Sequence, residues 1–333
     1  MKRRNLITVF TVLALALSLI SSCERTPAYE ERPLVKIATL KGPTGIGTVK
    51  LFDDNDAKLS TNRYETLIAG APDEIVGKIT TGQIDIAAVP TNLAATLYNK
   101  TNGDVKLLAI NTLGVLYILE NGDTVSSVAD LRGKKLYASG KGSTPEFILN
   151  YILTKNGIDP LKDIDIEYKA EHSELLTLAA SGNADLVLLP EPFVTTLLSK
   201  NAGFRNKIDL TEEWETLSVA GDGDAGALAM GGLIVRKEFA DNNKDVLDDF
   251  LKEYEASVKY TQTDPDGTAA LVVKYGIMAD KALAKKALPG CNIVFISGGD
   301  MKSGIESLYE VFFAADPKSI GGKLPEEDFY YGG

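Results

Sequence analysis

The stretch KKLYASGKGSTPEFILNYILTKN, residues 134–156, decides the fold. It opens with a short apolar strand over residues 135–138 and continues through a turn of glycine, serine and threonine. Thr144, Pro145 and Glu146 predict a helix start, because a capping hydroxyl, an early proline and an acidic first turn are typical there. Such a unit presents free backbone N–H groups and the positive end of a helix dipole at one place. The stretch therefore predicts a strand–turn–helix unit whose turn faces a ligand.

A similar unit occurs one hundred residues earlier in the chain. The sequence KGPT at residues 41–44 follows a predicted strand over residues 35–40, just as KGST at residues 141–144 follows the strand at residues 135–138. At the same spacing, residues 74–100 align without a gap with residues 174–200, and the pairs 74/174, 82/182, 85/185, 90/190, 96/196, 97/197 and 100/200 are identical. Two gapless matches at one spacing predict two similar α/β lobes, each with two ligand-facing turns.

The N-terminus predicts export and a lipid anchor. Basic residues at positions 2–4 precede an apolar run over residues 6–20, which is short for a membrane span and typical of a secretory signal peptide. The sequence ISSC that ends at Cys23 resembles the lipobox of bacterial lipoproteins, in which the cysteine is acylated and becomes the first mature residue. We therefore expect residues 1–22 to be a signal peptide and residues 23–33 to be a lipid-anchored tether on the extracytoplasmic side of a membrane.

Composition argues against several classes of function. Without residues 1–22, which contain three of the 35 basic residues and none of the 46 acidic ones, the formal charge is −14, so nucleic acid is not an expected partner. If Cys23 is acylated, Cys291 is the single remaining thiol, and His172 is the single histidine. Disulfides, metal sites rich in cysteine or histidine, and Ser–His–Asp chemistry are therefore not expected. We predict no catalytic residues, no metal site and no cofactor.

The order of the predicted elements indicates two domains. Strands and helices alternate along residues 34–113 and again along residues 114–226, which predicts parallel, doubly wound sheets. A stretch rich in glycine, alanine and aspartate at residues 220–232 indicates a hinge, and the chain beyond it is mostly helical in pattern. We expect the first lobe to comprise residues 34–113 and 227–333, and the second lobe to comprise residues 114–226.

Several short motifs, in this order along the chain, resemble one family. They are LRGKK at residues 131–135, GSTP at 142–145, SGNAD at 181–185, PEPF at 190–193 and IGGKLP at 320–325. Together they resemble the substrate-binding proteins of ABC importers, in the branch that handles nitrate, alkanesulfonates, taurine and thiamine precursors. The resemblance implies the type II periplasmic-binding-protein fold, in which two α/β lobes joined by crossing hinge segments hold a small ligand in their cleft. It also implies two protein partners, an ABC permease and its ATPase.

The resemblance further implies which residues contact the ligand. The second and fourth predicted turns lie at residues 90–92 and 190–192. Carried over from the family position by position onto the four turns, the contact residues are Thr44, Thr91, Asn92, Ser143, Thr144 and Glu191. Hydroxyl groups and free N–H groups at helix starts suit polar ligand atoms, and the carboxylate suits an N–H group or a cation. Candidate stacking surfaces are Tyr64, Tyr117, Phe193 and Trp214. The cations that flank the predicted cleft are Lys41 and Lys141.

These features predict an extracytoplasmic solute-binding protein that captures a small polar molecule and delivers it to a permease. Because the turns contain Glu191 and lack arginine, the sequence favours a nitrogen heterocycle such as a thiamine-precursor pyrimidine. A sulfonate or nitrate-type oxyanion is the alternative, since helix starts alone can hold an oxyanion. A ligand sensor and an enzyme like those of the menaquinone pathway are the alternatives from other classes. Fungal thiamine-pyrimidine synthases also resemble the family, but they use a histidine and a cysteine-rich stretch that has no counterpart in this sequence.

Overall fold

The computed structural model describes residues 28–220 and 226–332, without the side chains of residues 218–220. The predicted signal peptide and Cys23 lie outside these residues, as does part of the predicted hinge at residues 220–232. The described chain forms two mixed β-sheets that are covered by helices. The strands are β1 (Leu34–Leu40), β2 (Arg63–Ala69), β3 (Ile86–Pro90), β4 (Val105–Thr112), β5 (Leu116–Asn121), β6 (Lys135–Ser139), β7 (Asp165–Lys169), β8 (Leu186–Pro190), β9 (Phe204–Asp209), β10 (Gly231–Arg236) and β11 (Ile293–Ser297).

The helices occupy most of the chain between the strands. They are α1 (Pro43–Ile46), α2 (Val49–Asp56), α3 (Asp73–Thr80), α4 (Thr91–Lys100), α5 (Thr144–Lys155), α6 (His172–Ala180), α7 (Phe193–Lys200), α8 (Leu210–Ala220), α9 (Lys237–Asn242), α10 (Lys244–Thr263), α11 (Pro265–Lys274), α12 (Lys281–Ala287) and α13 (Gly298–Ala315). Short 3₁₀ turns lie at Tyr29–Glu31, Val128–Leu131, Leu288–Cys291, Pro317–Ile320 and Glu327–Phe329. Among these residues, no helix has the length and apolar character needed to cross a membrane.

Each sheet takes its strands from a distinct part of the chain. The first sheet has the strand order β11-β4-β10-β3-β1-β2, and the second has the order β7-β6-β8-β5-β9. The first sheet thus combines the strands up to β4 with the two that follow α8, and the second holds all the strands in between. We propose residues 34–113 with 227–333 as the first lobe and residues 114–226 as the second, as the sequence predicts.

Each sheet is mixed rather than parallel throughout. The strand β1 pairs in parallel with β2 and β3, and β6 pairs in parallel with β7 and β8. In contrast, β10 runs antiparallel to β3 and β4, and β5 runs antiparallel to β8 and β9. The reason is the path of the chain: β5 and β10 each follow a crossing from the other lobe, so each enters its new sheet in the opposite direction.

The one-hundred-residue repeat is visible in the topology. The order β3-β1-β2 in the first sheet corresponds to β8-β6-β7 in the second, with an antiparallel strand beside β3 and beside β8. Helix α3 follows β2 as α6 follows β7, and α4 follows β3 as α7 follows β8. The repeat therefore predicts which turns of the two lobes are equivalent.

Burial of apolar strands and of one long helix stabilises this arrangement. Every residue of β3 and of β8 is buried, as expected for strands that are covered on both faces. In α10, Leu247, Phe250, Tyr254 and Val258 recur every three or four residues and pack on the first sheet. Truncating one of them, as in Phe250→Ala, is expected to cost about 3–5 kcal/mol of unfolding free energy.

Candidate functional site

The cleft lies where the carboxyl ends of the parallel strands of the two sheets face each other. Residues from equivalent turns line it in pairs, with Gly70 and Pro90 from the first lobe and Ala170 and Pro190 from the second. Ligands of α/β sheets bind at this edge, because helix starts and irregular backbone meet there. The position of the cleft therefore follows from the repeat and the direction of the strands.

The cleft consists of two adjoining chambers. The inner chamber has a volume of about 80 Å³ and borders the crossing between β4 and β5; its lining includes Leu40, Pro43, Thr44, Thr112, Val115, Ser143, Pro145, Met230. The outer chamber has a volume of about 490 Å³; its lining includes Leu176, Phe193, Thr196, Lys200, Val273, Ile277, Met278, Asp280. Four residues line both chambers: Lys41, Gly70, Glu171, His172.

The two lobes touch each other across the cleft. A Cβ atom on Gly70 of the first lobe would lie 3.1 Å from Glu171 Oε1 of the second lobe. On another side of the interface, the rings of Phe147 and Phe312 lie 5.9 Å apart between their centroids. The structure therefore represents an arrangement in which the lobes are close together.

Thr44 is one of the residues that line the inner chamber, and it is 9% exposed. Among the described residues its Oγ1 atom has no hydrogen-bond partner. The backbone is held in place, because the Thr44 carbonyl accepts hydrogen bonds from Thr39 Oγ1 and from Asn111 Nδ2, each at 3.3 Å. A fixed hydroxyl without a partner is suited to binding a polar ligand atom.

Ser143 also lines the inner chamber, at the start of α5. It is the N-cap residue of this helix, one position earlier than the sequence predicts, and its hydroxyl donates to the Gly140 carbonyl at 2.6 Å. The backbone N–H of Gly142 donates to Glu146 Oε2 at 2.5 Å. The Ser143 side chain therefore stabilises the turn before α5 and makes no capping hydrogen bond to the helix.

The three remaining turn residues with short polar side chains bind each other across the lobes. Thr144 Oγ1 lies 3.1 Å from Thr91 Oγ1, donates to Asn92 Oδ1 at 3.1 Å and accepts from the Asn92 backbone N–H at 3.3 Å. Asn92 Nδ2 donates to the carbonyl groups of Gly142 and Ser319, each at 3.2 Å. Thr91, Asn92 and Thr144 are buried and line neither chamber. The structure thus places them in a contact between the lobes, beside the cleft.

Glu191 also lies outside both chambers. Its carboxylate accepts hydrogen bonds from the backbone N–H and the hydroxyl of Thr195, at 3.0 and 2.8 Å. Gly290 of the first lobe approaches so closely that a Cβ atom there would lie 3.2 Å from Glu191 Cγ. Burial raises the pKa of Glu191 above its ordinary value. The side chain therefore holds the start of α7 and packs against the opposite lobe.

The aromatic candidates divide between the core and the cleft. The hydroxyl of Tyr64 donates to Glu253 Oε2 at 2.5 Å, and its ring packs near Phe250 in the core of the first lobe. Trp214 is fully buried against Tyr151, and Tyr117 lines neither chamber. Phe193 is the candidate that the structure places in the cleft, where it lines the outer chamber.

The two flanking lysines have different surroundings. Lys41 lines both chambers and has no ion-pair partner in the described part of the chain. The ammonium group of Lys141 lies 5.7 Å from the centroid of the Tyr168 ring, and Lys141 lines neither chamber. Of the two, Lys41 is therefore placed to attract an anion into the cleft.

Glu171 and His172 line the cleft, although neither was predicted from the sequence to do so. His172 Nδ1 lies 2.6 Å from Ser139 Oγ, and enclosure between the lobes lowers the pKa of His172 to about 4, so the ring is neutral near pH 7. The Glu171 carboxylate accepts from Ser173 Oγ at 2.8 Å. The one-hundred-residue repeat could have predicted this position, because residues 170–172 are equivalent to residues 70–72. Both turns contribute to the same cleft.

Comparison with known proteins identifies the family. Residues 58–271, well over half of the chain, match the family described as ABC transporter, phosphonate, periplasmic substrate-binding protein. Putative binding protein YtlA of Bacillus subtilis (strain 168) is 34% identical over 73 residues, which are 22% of this chain and 22% of that protein. The match therefore spans only about a fifth of the length of this curated relative.

Solved structures share the fold over almost the whole chain. A crystal structure of an ABC transporter from Parabacteroides distasonis is 23% identical with a TM-score of 0.71, and the match covers 90% of this chain and 98% of that one. The alkanesulfonate-binding protein SsuA from Xanthomonas axonopodis pv. citri, bound to MOPS, is 16% identical with a TM-score of 0.67, covering 89% and 96%. The predicted two-lobe fold and the predicted resemblance are thus confirmed. The chain belongs to the family of phosphonate-type periplasmic substrate-binding proteins of ABC transporters.

Proposed function

We propose that this chain is the extracytoplasmic solute-binding component of an ABC importer, and that it binds a small molecule with an oxyanion head group. One observation carries the choice of head group. The inner chamber combines the Thr44 hydroxyl, the nearby Lys41 and the starts of α5 and α6, where Ser143 and His172 line the wall. Hydroxyl groups, cations and helix N-termini are the groups that bind oxyanions without arginine.

The positions of Glu191 and Tyr64 favour the oxyanion alternative over a nitrogen heterocycle as the ligand. The heterocycle required Glu191 to pair with a ring N–H group and an aromatic side chain such as Tyr64 to cover the ring. Both side chains have protein partners outside the chambers, Glu191 with Thr195 and Tyr64 with Glu253. The inner chamber, at about 80 Å³, is also smaller than the cavity of about 150 Å³ that encloses a benzene ring. A compact head group fits this space better than a ring does.

The relatives support the same class of ligand. The description of the family names phosphonate. The Xanthomonas protein is described as an alkanesulfonate-binding protein, and its structure was solved with bound MOPS. A tetrahedral phosphonate or sulfonate presents three oxygen atoms to donors from both lobes. We therefore propose phosphonates and sulfonates, ahead of nitrate and of thiamine-precursor pyrimidines.

We further propose that the ligand closes the two lobes and that the closed form delivers it to a permease with an attached ATPase. Hinge closure between residues 34–113 with 227–333 and residues 114–226 would bring both walls of the inner chamber onto one ligand. Small-angle scattering of the mature chain tests the movement: the radius of gyration should fall at ligand saturation. An unchanged profile would contradict closure.

Lipid anchoring at Cys23 is also proposed, on the sequence of the N-terminus alone. Processing at this residue would hold the protein at the outer face of a membrane, next to its permease. Intact mass spectrometry of the membrane fraction should give a mature chain that starts at Cys23 and carries acyl groups, and Cys23→Ala should abolish that species. A wild-type chain that retains Met1 would contradict the proposal.

The ligand class is tested by isothermal calorimetry of the purified mature chain. The panel contains alkanesulfonates, alkylphosphonates, nitrate, pyrimidines and flavins. We expect binding of a sulfonate or a phosphonate and no comparable binding of the uncharged heterocycles. Tight binding of a pyrimidine, with no binding of any oxyanion, would overturn the proposal and restore the heterocycle.

A further inference from the structure

The outer chamber is the larger part of the cleft. Its volume of about 490 Å³ lies within the range of about 300–1,000 Å³ that small-molecule sites usually have. The inner chamber, at about 80 Å³, holds only a compact group. Because the chambers share the lining residues Lys41, Gly70, Glu171 and His172, a ligand with its head in the inner chamber extends directly into the outer one.

Apolar side chains from both lobes face the outer chamber. Phe193 and Leu176 come from the second lobe, and Ile277 and Met278 come from the first. Phe193, Leu176 and Ile277 are at most 9% exposed, although each lines this space. An apolar surface assembled from two lobes exists as an enclosure only when the lobes are together, so it is available to a ligand that closes them.

The junction between the chambers is aromatic on one side. His172 lines both chambers, and its ring centroid lies 5.3 Å from that of Phe193, with the ring planes inclined by 50°. A third ring can pack against such a pair by its edge or its face. Met278 on the opposite lobe is unbranched and flexible, so it can adapt to tails of different shape.

The charges at the outer chamber do not select a charged tail. Four charged residues line it, the cations Lys41 and Lys200 and the anions Glu171 and Asp280, and all four are exposed. Their formal charges sum to zero, and solvent screens each of them. The interior therefore favours an uncharged, apolar group.

We propose that the outer chamber binds an uncharged, ring-sized apolar tail of an organic oxyanion. The ligand is then an organic phosphonate or sulfonate with such a tail, and an inorganic oxyanion or a methyl-substituted one is a poor substitute. The tail displaces loosely held water from apolar walls, which strengthens binding. This inference rests on the proposed function, because the head group in the inner chamber fixes the direction of the tail.

Calorimetry with matched pairs of compounds tests the inference on the mature full chain. One pair is methanesulfonate and 3-phenylpropane-1-sulfonate, the other is methylphosphonate and phenylphosphonate, and inorganic sulfate and phosphate complete the set. In at least one pair, the tailed compound should bind about tenfold more tightly or better, because a buried ring removes a large apolar area from water. Equal or weaker binding of the tailed members overturns the inference while the proposed function stands. If no oxyanion binds with or without a tail, the proposed function fails and the inference fails with it.

Two substitutions test whether the apolar tail of the ligand lies in the outer chamber. Met278→Ala and Phe193→Ala should each reduce the ratio of tailed to tailless affinity at least about threefold, because each removes part of the apolar wall. The matched control is Phe313→Ala on α13, a partly buried phenylalanine that lines neither chamber, and it should keep the wild-type ratio. Met278 is only partly buried, so Met278→Ala decides the question if Phe193→Ala does not fold. A wild-type ratio in Met278→Ala would overturn the inference.

Discussion

The turns at residues 41–46 and 141–146 occupy equivalent places in the two lobes, yet their side chains do different work. The first turn follows β1 and the second follows β6, which lie next to the edge strands β2 and β7 of their sheets, and each turn contains Lys-Gly, one further residue and Thr. In the first lobe, Thr44 lines the inner chamber, and its hydroxyl has no hydrogen-bond partner among the described residues. In the second lobe the Thr144 hydroxyl is bonded to Thr91 and Asn92 of the opposite lobe. Equivalent position in the fold therefore does not establish equivalent function, because the neighbours of a side chain decide its role.

The largest expected difference between the two turns appears when the hydroxyl groups of Thr44 and Thr144 are removed in separate variants. Thr144→Val leaves Asn92 Oδ1 and the Asn92 N–H without a buried partner, so it should lower the unfolding free energy by about 1–3 kcal/mol. Thr44→Val removes a hydroxyl that has no protein partner in the described structure and should change stability by less than about 0.5 kcal/mol. Urea unfolding of both variants without ligand measures the difference. Equal destabilisation would contradict the assigned roles.

The two lysines provide the next test. Lys41→Met should weaken oxyanion binding about tenfold, since it removes the cation that lines both chambers. Lys141→Met is the matched control, because that ammonium group lies over the Tyr168 ring instead of in the cleft. Calorimetry at low and moderate salt compares them, and the loss for Lys41→Met should shrink as salt is added. A larger loss from Lys141→Met would contradict the assignment of Lys41 to the binding site.

The turns at residues 70–72 and 170–172 differ by a titratable group, with Pro72 in one and His172 in the other. Burial lowers the pKa of His172 to about 4 in the folded chain, whereas the pKa of an unfolded histidine is about 6.5. Between these two pH values, the unfolded chain therefore binds more protons than the folded chain does. The free energy of unfolding therefore falls as the pH decreases from about 6.5 towards 4, because protons bind preferentially to the unfolded chain. The size of this decrease is on the order of 1 kcal/mol after allowance for partial exposure.

His172→Gln checks this assignment, because His172 is the single histidine of the chain. Thermal unfolding is followed from pH 7 to pH 4.5 for both proteins. The wild type should lose more stability over this interval than the variant does. Parallel curves would mean that the histidine does not titrate as its surroundings indicate.

The smallest expected effect concerns Ala71 and Glu171, which also differ between these turns. Glu171 lines both chambers and opposes an anion, but it is exposed and therefore screened. Glu171→Ala, which introduces the residue of the equivalent turn, should raise oxyanion affinity about twofold. Calorimetry would detect weaker binding instead if the carboxylate accepts a hydrogen bond from the ligand.

The sequence was sufficient to predict the pattern of the fold but not the environment of each side chain. The repeat and the alternating elements predicted the two-lobe fold, which the solved structures confirm, and they indicated where the turns lie. The antiparallel strands β5 and β10 were not predicted, because the direction of a strand after a crossing depends on where the chain re-enters the sheet. Burial in a specific environment, as for Glu191 and Tyr64, likewise depends on residues that are distant in the sequence.

A crystal structure with the tightest-binding oxyanion of the panel tests the placement of the ligand most directly. We expect the head group in the inner chamber between the lobes. One of its oxygen atoms should lie about 2.7–3.0 Å from Thr44 Oγ1, and the head should approach Lys41 Nζ. The Thr91, Asn92 and Thr144 side chains should keep their mutual hydrogen bonds. A head group bound outside the cleft, or one that contacts Thr144 while Thr44 remains without a partner, would contradict this placement.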